Sequence, residues 1–213
     1  MADATRTRLL ATAERLFAER GIAGVSLREI GAAAGQRNNS ATQYHFESKH
    51  GLVLALCEHR MRPVNERRIA MLEAVAADDL RGLVEAFVLP LAEAARPGSY
   101  YLRFLAQLLA GPSQVPRAAF ELDVLQVMRR IVERVERCLP MVPQALRRAR
   151  FPSAAVLVVS TLADQERQLQ AHGRTAPLAL RTADLVDATI GLLTAPTSAV
   201  TRRELRAAAR RPA

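Results

Sequence analysis

Gln43 and Tyr44 are neighbouring polar side chains on a short helix that is predicted to begin near Asn39. Thr42 and Phe46 lie four residues apart on this segment and therefore share its inward face. An amide and a phenol on the outward face can donate and accept hydrogen bonds along an exposed edge. This layout is typical of a helix placed in the major groove of DNA. Residues 39–46 are called the reading segment below.

A second helix is predicted immediately before the reading segment. Ser26 and Glu29 have the spacing of a capping box, in which each side chain accepts a hydrogen bond from the other residue's backbone. Ile30 and Ala33 are the predicted apolar anchors of this helix, and Gly35 ends it by supplying a left-handed backbone conformation. The two helices and their turn predict a helix-turn-helix.

Composition indicates a globular protein of one or two domains. The chain has 213 residues, 50% of them hydrophobic, and its mean hydropathy is close to zero. The longest apolar run, residues 154–159, is far shorter than the roughly 20 residues of a membrane helix, and the polar N-terminus lacks a signal-like core. We therefore expect a cytoplasmic protein without a membrane partner.

The net charge of +9 supports binding to a polyanion only weakly. Residues 1–51 contain seven basic and five acidic side chains, a net charge of only +2. The remaining excess lies largely in Arg147, Arg148, Arg150 and the arginine-rich end of the chain. The single lysine, Lys49, directly follows the reading segment and a potential helix cap, Ser48.

Apolar residues recur at intervals of three and four along the whole chain, which predicts an all-α fold. Ser48 is expected to start a long helix that contains Pro63 and joins the two parts of the protein rigidly. The expected domains are a three-helix DNA-binding domain over 1–51, a ligand-binding and dimerisation bundle over 52–200, and a tail over 201–213. The other helices are predicted near 4–20, 80–95, 99–110, 116–138, 144–172 and 178–194.

Four motifs resemble the N-terminal domain of the tetracycline-repressor (TetR) family of bacterial transcription regulators. They are RLFAERG at 15–21, VSLREI at 25–30, AAG at 33–35 and YHFESK at 44–49. They recur in order and at the expected separations over about the first fifty-five residues. The resemblance implies a homodimer that places one helix per subunit in successive major grooves of a palindromic operator. It also implies that a small-molecule effector in the C-terminal bundle releases the DNA.

The resemblance also implies roles for individual residues. Arg28 is expected to face DNA, where its guanidinium suits a guanine edge, and Asn39 and Gln43 suit adenine or mixed edges. The implied phosphate contacts are Ser40, Tyr44, His45 and Lys49. Lys49 lies on the first turn of a helix, where backbone N–H groups also attract a phosphate oxygen.

An effector pocket in the bundle would need apolar and aromatic walls with few polar anchors. The candidate residues are Met61, Asn65, Phe87, Tyr100, Phe104, Gln107, Phe120 and Met128, with Arg103 as a further polar contact. Ordinary core packing is the alternative for each apolar member.

The last two long helices of the bundle have wide apolar stripes that predict a self-complementary face. The candidate dimer residues are Val156, Val159, Leu162, Leu169, Leu185 and Ile190. Pairing with a second copy would set the two reading segments about one DNA turn, roughly 34 Å, apart. Burial inside one subunit is the alternative for each residue.

Other function classes receive less support from the sequence. Cys57 and His59 lie two residues apart on different helix faces, a poor arrangement for catalysis or metal binding. The sequence has no phosphate-binding glycine loop, so we expect no enzyme and no cofactor. A redox-responsive regulator that uses Cys57 or Cys138 remains open, because Arg134 and Arg137 flank Cys138. An activator of the same fold is a further alternative.

Overall fold

The computed structural model describes residues 2–36, 45–110, 123–172 and 178–209. These ranges contain helices joined by turns and no strand, so the predicted all-α fold is confirmed. The helices are α1 (Ala2–Arg20), α2 (Leu27–Ala33), α3 (Lys49–Ala74), α4 (Leu80–Ala94), α5 (Tyr101–Ala110), α6 (Asp123–Arg137), α7 (Gln144–His172), α8 (Leu178–Thr194) and α9 (Ala199–Ala209). Residues 116–122 of the helix predicted near 116–138 lie outside the described ranges.

Helix α1 packs through side chains spaced three and four residues apart. Leu9, Leu10, Ala13 and Phe17 are each at most 1% exposed, which places one continuous face against the core. Gly21 ends the helix with φ +77°, and its N–H donates to the Phe17 carbonyl at 2.9 Å. The predicted amphipathic face and its glycine stop are therefore present.

Helix α3 runs unbroken from the N-terminal half of the molecule into the bundle, with Pro63 inside it. In the bundle, α3 packs against α4 and α6, and α4 packs in turn against α8. Helix α5 lies between α1 and α7, so α1 and α3 both connect the two halves of the molecule. A displacement within the bundle can thus reach the N-terminal helices through packed side chains.

Arginine side chains cap the carboxyl ends of several helices. Arg134 donates to the carbonyls of Leu72 and Val75 at 2.9 and 2.7 Å, at the end of α3. Arg150 donates to the Leu193 carbonyl at 2.8 Å, at the end of α8. A cation placed there neutralises the negative end of the helix dipole and satisfies orphan carbonyls. Part of the basic excess therefore stabilises helices instead of contacting a polyanion.

Helix α9 contains the first nine residues of the predicted tail, 201–209, and its described side chains include none that is buried. Across the described ranges, every helix is too short or too polar to cross a lipid bilayer.

Candidate DNA-binding surface

Helix α2 starts with the predicted capping box. The Glu29 N–H donates to Ser26 Oγ at 3.2 Å, and the Ser26 N–H donates to Glu29 Oε2 at 2.8 Å. Arg20 Nη2 lies 2.7 Å from the other Glu29 oxygen. The backbone N–H and hydroxyl of Ser26, assisted by Arg20, lower the pKa of Glu29 from 4.5 to about 2. The charged form of Glu29 therefore holds the start of α2 against the end of α1.

Lowering the pH should weaken this capping box and so destabilise the protein. The stability of a Glu29→Gln protein should lack this part of the pH dependence. The pKa of Glu29 is depressed in the folded protein, so its contribution to stability is fully present above pH 4.5. That contribution is lost as the pH falls from 4.5 towards 2. Thermal unfolding followed by circular dichroism over this range would measure the effect. Parallel pH profiles for wild type and Glu29→Gln would contradict it.

Helix α2 ends in the left-handed conformation predicted for Gly35. Its φ is +72°, its N–H donates to the Ala32 carbonyl at 3.0 Å, and the Gln36 N–H donates to the Gly31 carbonyl at 2.9 Å. This pair of hydrogen bonds is a Schellman motif. It turns the chain sharply before the reading segment.

One predicted anchor of α2 is wrong. Ala33 is exposed, whereas Ala34 is 4% exposed and packs in the core with Ile30. Residues four apart stack on one face of a helix, so Ala34 follows Ile30 into the core while Ala33 is rotated towards solvent. The capping box and the glycine turn of the predicted helix-turn-helix are present with a one-residue shift of the second anchor of α2, whereas residues 37–44 lie outside the described residues.

The structure describes three of the seven residues that were predicted to contact DNA. Arg28 is exposed on the first turn of α2, and His45 is half-buried with its ring 6.1 Å from that of Phe46. Lys49 begins α3, and its Nζ donates to the Ala23 carbonyl at 3.1 Å, which ties α3 to the turn before α2. Partial burial lowers the pKa of Lys49. The other four residues, Asn39, Ser40, Gln43 and Tyr44, lie outside the described residues.

The end of the reading segment is fixed against the start of α3. Phe46 is 5% exposed, and the Arg6 guanidinium lies 5.6 Å from the centre of its ring. Ser48 caps α3 as predicted, because its Oγ accepts the Gly51 N–H at 3.0 Å. The backbone at Phe46 and the first turn of α3 are thus held together in one unit.

Glu14 of α1 joins this unit to the bundle. It is 7% exposed, and its Oε1 accepts the backbone N–H of Tyr100, just before α5, at 3.2 Å. Its Oε2 lies 3.0 Å from Arg60 Nε of α3, and Arg60 Nη2 donates to Ser99 Oγ at 2.9 Å. Burial raises the pKa of Glu14, and the charge of Arg60 opposes this shift. One carboxylate therefore connects α1, α3 and the start of α5.

A second buried carboxylate holds α5 from the opposite side. Glu166 of α7 is 0% exposed and accepts the backbone N–H groups of Leu102 and Arg103 at 3.3 and 3.1 Å. Phe104 on α5 stacks with Phe17 on α1, with ring centroids 6.0 Å apart. Helix α5 is consequently fastened both to the N-terminal helices and to the bundle.

Glu14, Arg60 and Glu166 were not predicted from the sequence as residues that join the two halves of the molecule. Glu14 follows Leu10 by four residues and precedes Phe17 by three, so it occupies a core position of an apolar stripe. Glu166 follows Leu162 by four residues in the same way. A charged residue on a core stripe is the signal that could have identified them.

Comparison with known sequence families agrees with this geometry. The family described as bacterial regulatory proteins, tetR family, matches residues 9–56, and the tetracyclin repressor-like C-terminal domain matches residues 85–195. The chain belongs to the TetR family of bacterial transcription regulators. Members of this family are DNA-binding regulators and not enzymes. No curated protein sequence matches the chain.

Solved structures share the fold at low sequence identity. A tetR family transcription regulator from Shewanella sp. PV-4 is 17% identical, with a TM-score of 0.61 over 89% of this chain and 96% of that one. NalD of Pseudomonas aeruginosa, the secondary repressor of the MexAB-OprM multidrug efflux pump, is 22% identical, with a TM-score of 0.58 over 91% and 97%. A tetR family regulator from Rhodococcus RHA1 is 20% identical, with a TM-score of 0.58 over 89% and 96%.

The predicted effector residues of this TetR protein lie at several depths. Met61, Phe87 and Phe104 are buried in the core, and Asn65 is also buried and accepts a hydrogen bond from Arg68. Among the other candidates, Tyr100 lines a groove between the two halves of the molecule, Gln107 is exposed beside Gly21, Met128 is half-buried and Phe120 lies outside the described residues. Of the described candidates, Tyr100 alone lines this groove.

The predicted dimer residues of this TetR protein divide in a similar way. Val156 is 50% exposed on α7, and Leu169 and Ile190 are half-buried. The other three, Val159, Leu162 and Leu185, are at most 4% exposed and already pack inside the single subunit. Only the first three are accessible to a second copy.

The two cysteines of the TetR protein are poorly placed for redox sensing. Burial raises the pKa of Cys57 to about 12, and burial together with nearby Asp78 raises the pKa of Cys138. A raised pKa suppresses the thiolate that oxidants attack. Among residues 2–36, 45–110, 123–172 and 178–209, no cluster of three His, Cys, Asp or Glu side chains could hold a metal ion.

Proposed function

We propose that this TetR-family protein is a cytoplasmic, ligand-responsive repressor. In this proposal a homodimer binds a palindromic operator, and a small organic effector releases it. The contact from Glu14 to the Tyr100 N–H, which links the DNA-binding half to the start of α5, is the observation that carries the proposal.

The DNA-binding half supports sequence recognition through a rigid scaffold with polar side chains at its surface. Arg28 is exposed on the capped first turn of α2, where its guanidinium is available to a guanine O6/N7 edge. We assign Asn39 and Gln43 to base edges, and Ser40, Tyr44, His45 and Lys49 to phosphates. An ammonium has three N–H donors, so Lys49 keeps two for a phosphate oxygen while it holds the Ala23 carbonyl.

The junction gives an effector a mechanical route to the DNA-binding half. Glu14 and the stack of Phe17 on Phe104 attach α1 to α5, and Glu166 attaches α5 to α7. A ligand that binds more tightly when α5 is displaced stabilises that displaced state of the helix. Helix α1 then moves together with α5, because packed interfaces move as units. Moving the reading segments out of the one-turn spacing then weakens operator binding.

Dimerisation is proposed through α7 and α8. Val156 supplies an exposed apolar side chain on α7, and half-buried Leu169 and Ile190 supply further apolar area. A two-fold axis would bring the same patch of both subunits together. Repression as the mode of action is supported by NalD, a repressor of the same fold.

Selection of bound duplexes from random DNA tests the proposal. The wild-type protein should enrich an inverted repeat, and the Arg28→Ala/Gln43→Ala protein should lose sequence preference, because each lost base contact costs about 1–3 kcal/mol. The matched control is Arg148→Ala/Gln144→Ala, which removes the same side-chain types from exposed positions on α7. Absence of any enriched sequence for the wild type would contradict the assignment of the DNA-binding surface.

Lys49→Ala separates phosphate contacts from base contacts in the same experiment. All duplexes should lose affinity alike, and the dependence of log affinity on log salt should fall by about one unit. A Lys49→Ala protein with altered sequence preference and an unchanged salt slope would contradict the phosphate role.

A further inference from the structure

A groove with a volume of about 710 Å³ lies where the two halves of the molecule meet. Its walls come from α1, from α3, from the end of α4, and from the segment that joins α4 to the first residue of α5. Small-molecule pockets in proteins are typically about 300–1,000 Å³, so the groove has room for an organic ligand.

Arginines outnumber carboxylates along this groove. Four arginines and two glutamates line it: Arg15, Arg60, Arg67, Arg96, Glu14 and Glu93. Arg60 pairs with Glu14 at 3.0 Å and Arg67 with Glu93 at 3.5 Å. Arg15 pairs with Glu19, which lies outside the lining, and Arg96 Nε donates to the backbone carbonyl of Glu93 at 3.3 Å. The lining therefore has two positive charges more than its own carboxylates balance.

A further unbalanced cation lies behind the groove. Arg68 is 0% exposed and donates to two neutral acceptors, Asn65 Oδ1 at 3.1 Å and the Phe87 carbonyl at 3.4 Å. Within the described part of the chain its Nε has no hydrogen-bond partner and no carboxylate pairs with it. Burial lowers the pKa of Arg68 to about 10, so it is still charged at neutral pH.

Arg68 is adjacent to the groove wall. Val64 precedes Arg68 by one helical turn on the same face of α3, and Val64 lines the groove. A buried charge without a counter-ion is rare and adds to the positive potential of a nearby cleft.

The remaining walls are mainly apolar. They include Leu10, Leu56, Pro63, Pro90 and Pro97, together with the ring of Tyr100. The groove thus combines apolar surface with a positive field, which suits an amphipathic molecule with an acidic group.

We propose that this groove binds a small organic acid, whose apolar body lies on the prolines and whose carboxylate pairs with Arg96 and competes with Glu19 for Arg15. As the effector of the proposed repressor, the acid also competes with Glu14 for Arg60. Loss of the Arg60–Glu14 contact loosens the attachment of α1 to α3, so acid binding lowers operator affinity. This last step rests on the proposed function, whereas acid binding does not.

Thermal shift and calorimetry with the full-length protein test the proposal directly. The probes are octanoate and 2-naphthoate, each compared with its neutral amide and with an amine of the same carbon skeleton. Both acids should bind and raise the unfolding temperature, and the amides and amines should not. Arg15→Gln/Arg96→Gln should weaken acid binding about tenfold or more, because charge-assisted hydrogen bonds are lost.

The matched control is Arg62→Gln/Arg148→Gln, which removes two charges from exposed positions outside the groove and should bind both acids as the wild type does. Ala11→Trp fills the groove from α1 without changing its charge and should also abolish binding.

Equal binding by the groove and control variants, or no binding of either acid to the wild type, would overturn the proposal. If the organic acids bind but the protein stays bound to its selected operator, only the effector step of the proposal is overturned. Failure to select an operator would instead contradict the proposed function.

Discussion

Gly51→Ala should unfold at a clearly lower urea concentration than the wild type and should lose DNA binding. A Cβ at this position would lie 2.3 Å from the Phe46 carbonyl oxygen and 3.4 Å from the Phe46 carbonyl carbon. Both are backbone atoms, so no side-chain rotation relieves the contact. Phe46 is buried and Ser48 caps α3, and either the end of the reading segment or the first turn of α3 must therefore move. Overpacking of this kind costs about 1–3 kcal/mol.

Gly191→Ala is the matched control for this substitution. Gly191 is also inside a helix, α8, but a Cβ there would meet no atom within 4 Å. Alanine should stabilise the protein by about 0.5–1 kcal/mol, since glycine has the greater conformational entropy when unfolded. Urea unfolding followed by circular dichroism compares the two variants. Similar midpoints for Gly51→Ala and Gly191→Ala would contradict the steric argument.

Glu166→Met is expected to lower the free energy of unfolding by about 2–5 kcal/mol. The substitution leaves the backbone N–H groups of Leu102 and Arg103 without an acceptor inside the protein, and each such group costs about 1–3 kcal/mol. It also removes the carboxylate that lies 3.6 Å from Arg103 Nε. The start of α5 should loosen, so α1 and α7 should become less tightly coupled. Urea unfolding gives the magnitude.

The neighbouring residue supplies a control of the same size and burial. Gln165 is 1% exposed, and neither polar atom of its amide has a hydrogen-bond partner within the described residues. Gln165→Met should therefore change stability by less than about 1.5 kcal/mol, in the stabilising direction. Equal destabilisation by the two methionine substitutions would show that lost packing, and not lost capping, is responsible.

The pH profile provides an independent readout for Glu166. Burial raises its pKa above 4.5, although the N–H groups of Arg103 and Leu102 oppose the shift. The folded protein therefore holds this proton more tightly than the unfolded chain does. Stability from this group is present below pH 4.5 and is lost as the pH rises through the raised pKa. Glu166→Gln should remove this contribution, which has the opposite sign to that of Glu29.

Local signals in the sequence predicted the helix ends on both sides of residues 37–44 well. The capping box of Ser26 and Glu29, the left-handed Gly35 and the Ser48 cap were all predicted and are confirmed. Each involves residues within a few positions of one another, so the chain carries the information locally. The anchor of α2 shifted from Ala33 to Ala34 because the inward direction of a helix depends on what it packs against.

Predictions that required long-range packing were less complete. Most of the candidate effector residues are apolar or aromatic, a character that core and pocket positions share. Phe104 illustrates this, since its ring packs on Phe17 of α1. The groove at the junction is lined by residues from separate parts of the chain, among them four arginines and three prolines, and no local pattern brings those parts together.

The sequence by itself determined the TetR family, the all-α architecture and the caps that start and end the helices. Only the tertiary structure decided which groups form hydrogen bonds or ion pairs with the charged residues on the apolar stripes. Glu14 meets Tyr100 across 86 positions of the chain, and Glu166 meets Leu102 across 64. A cap forms between near neighbours, but the desolvation of a buried charge is offset only by groups that folding brings to it.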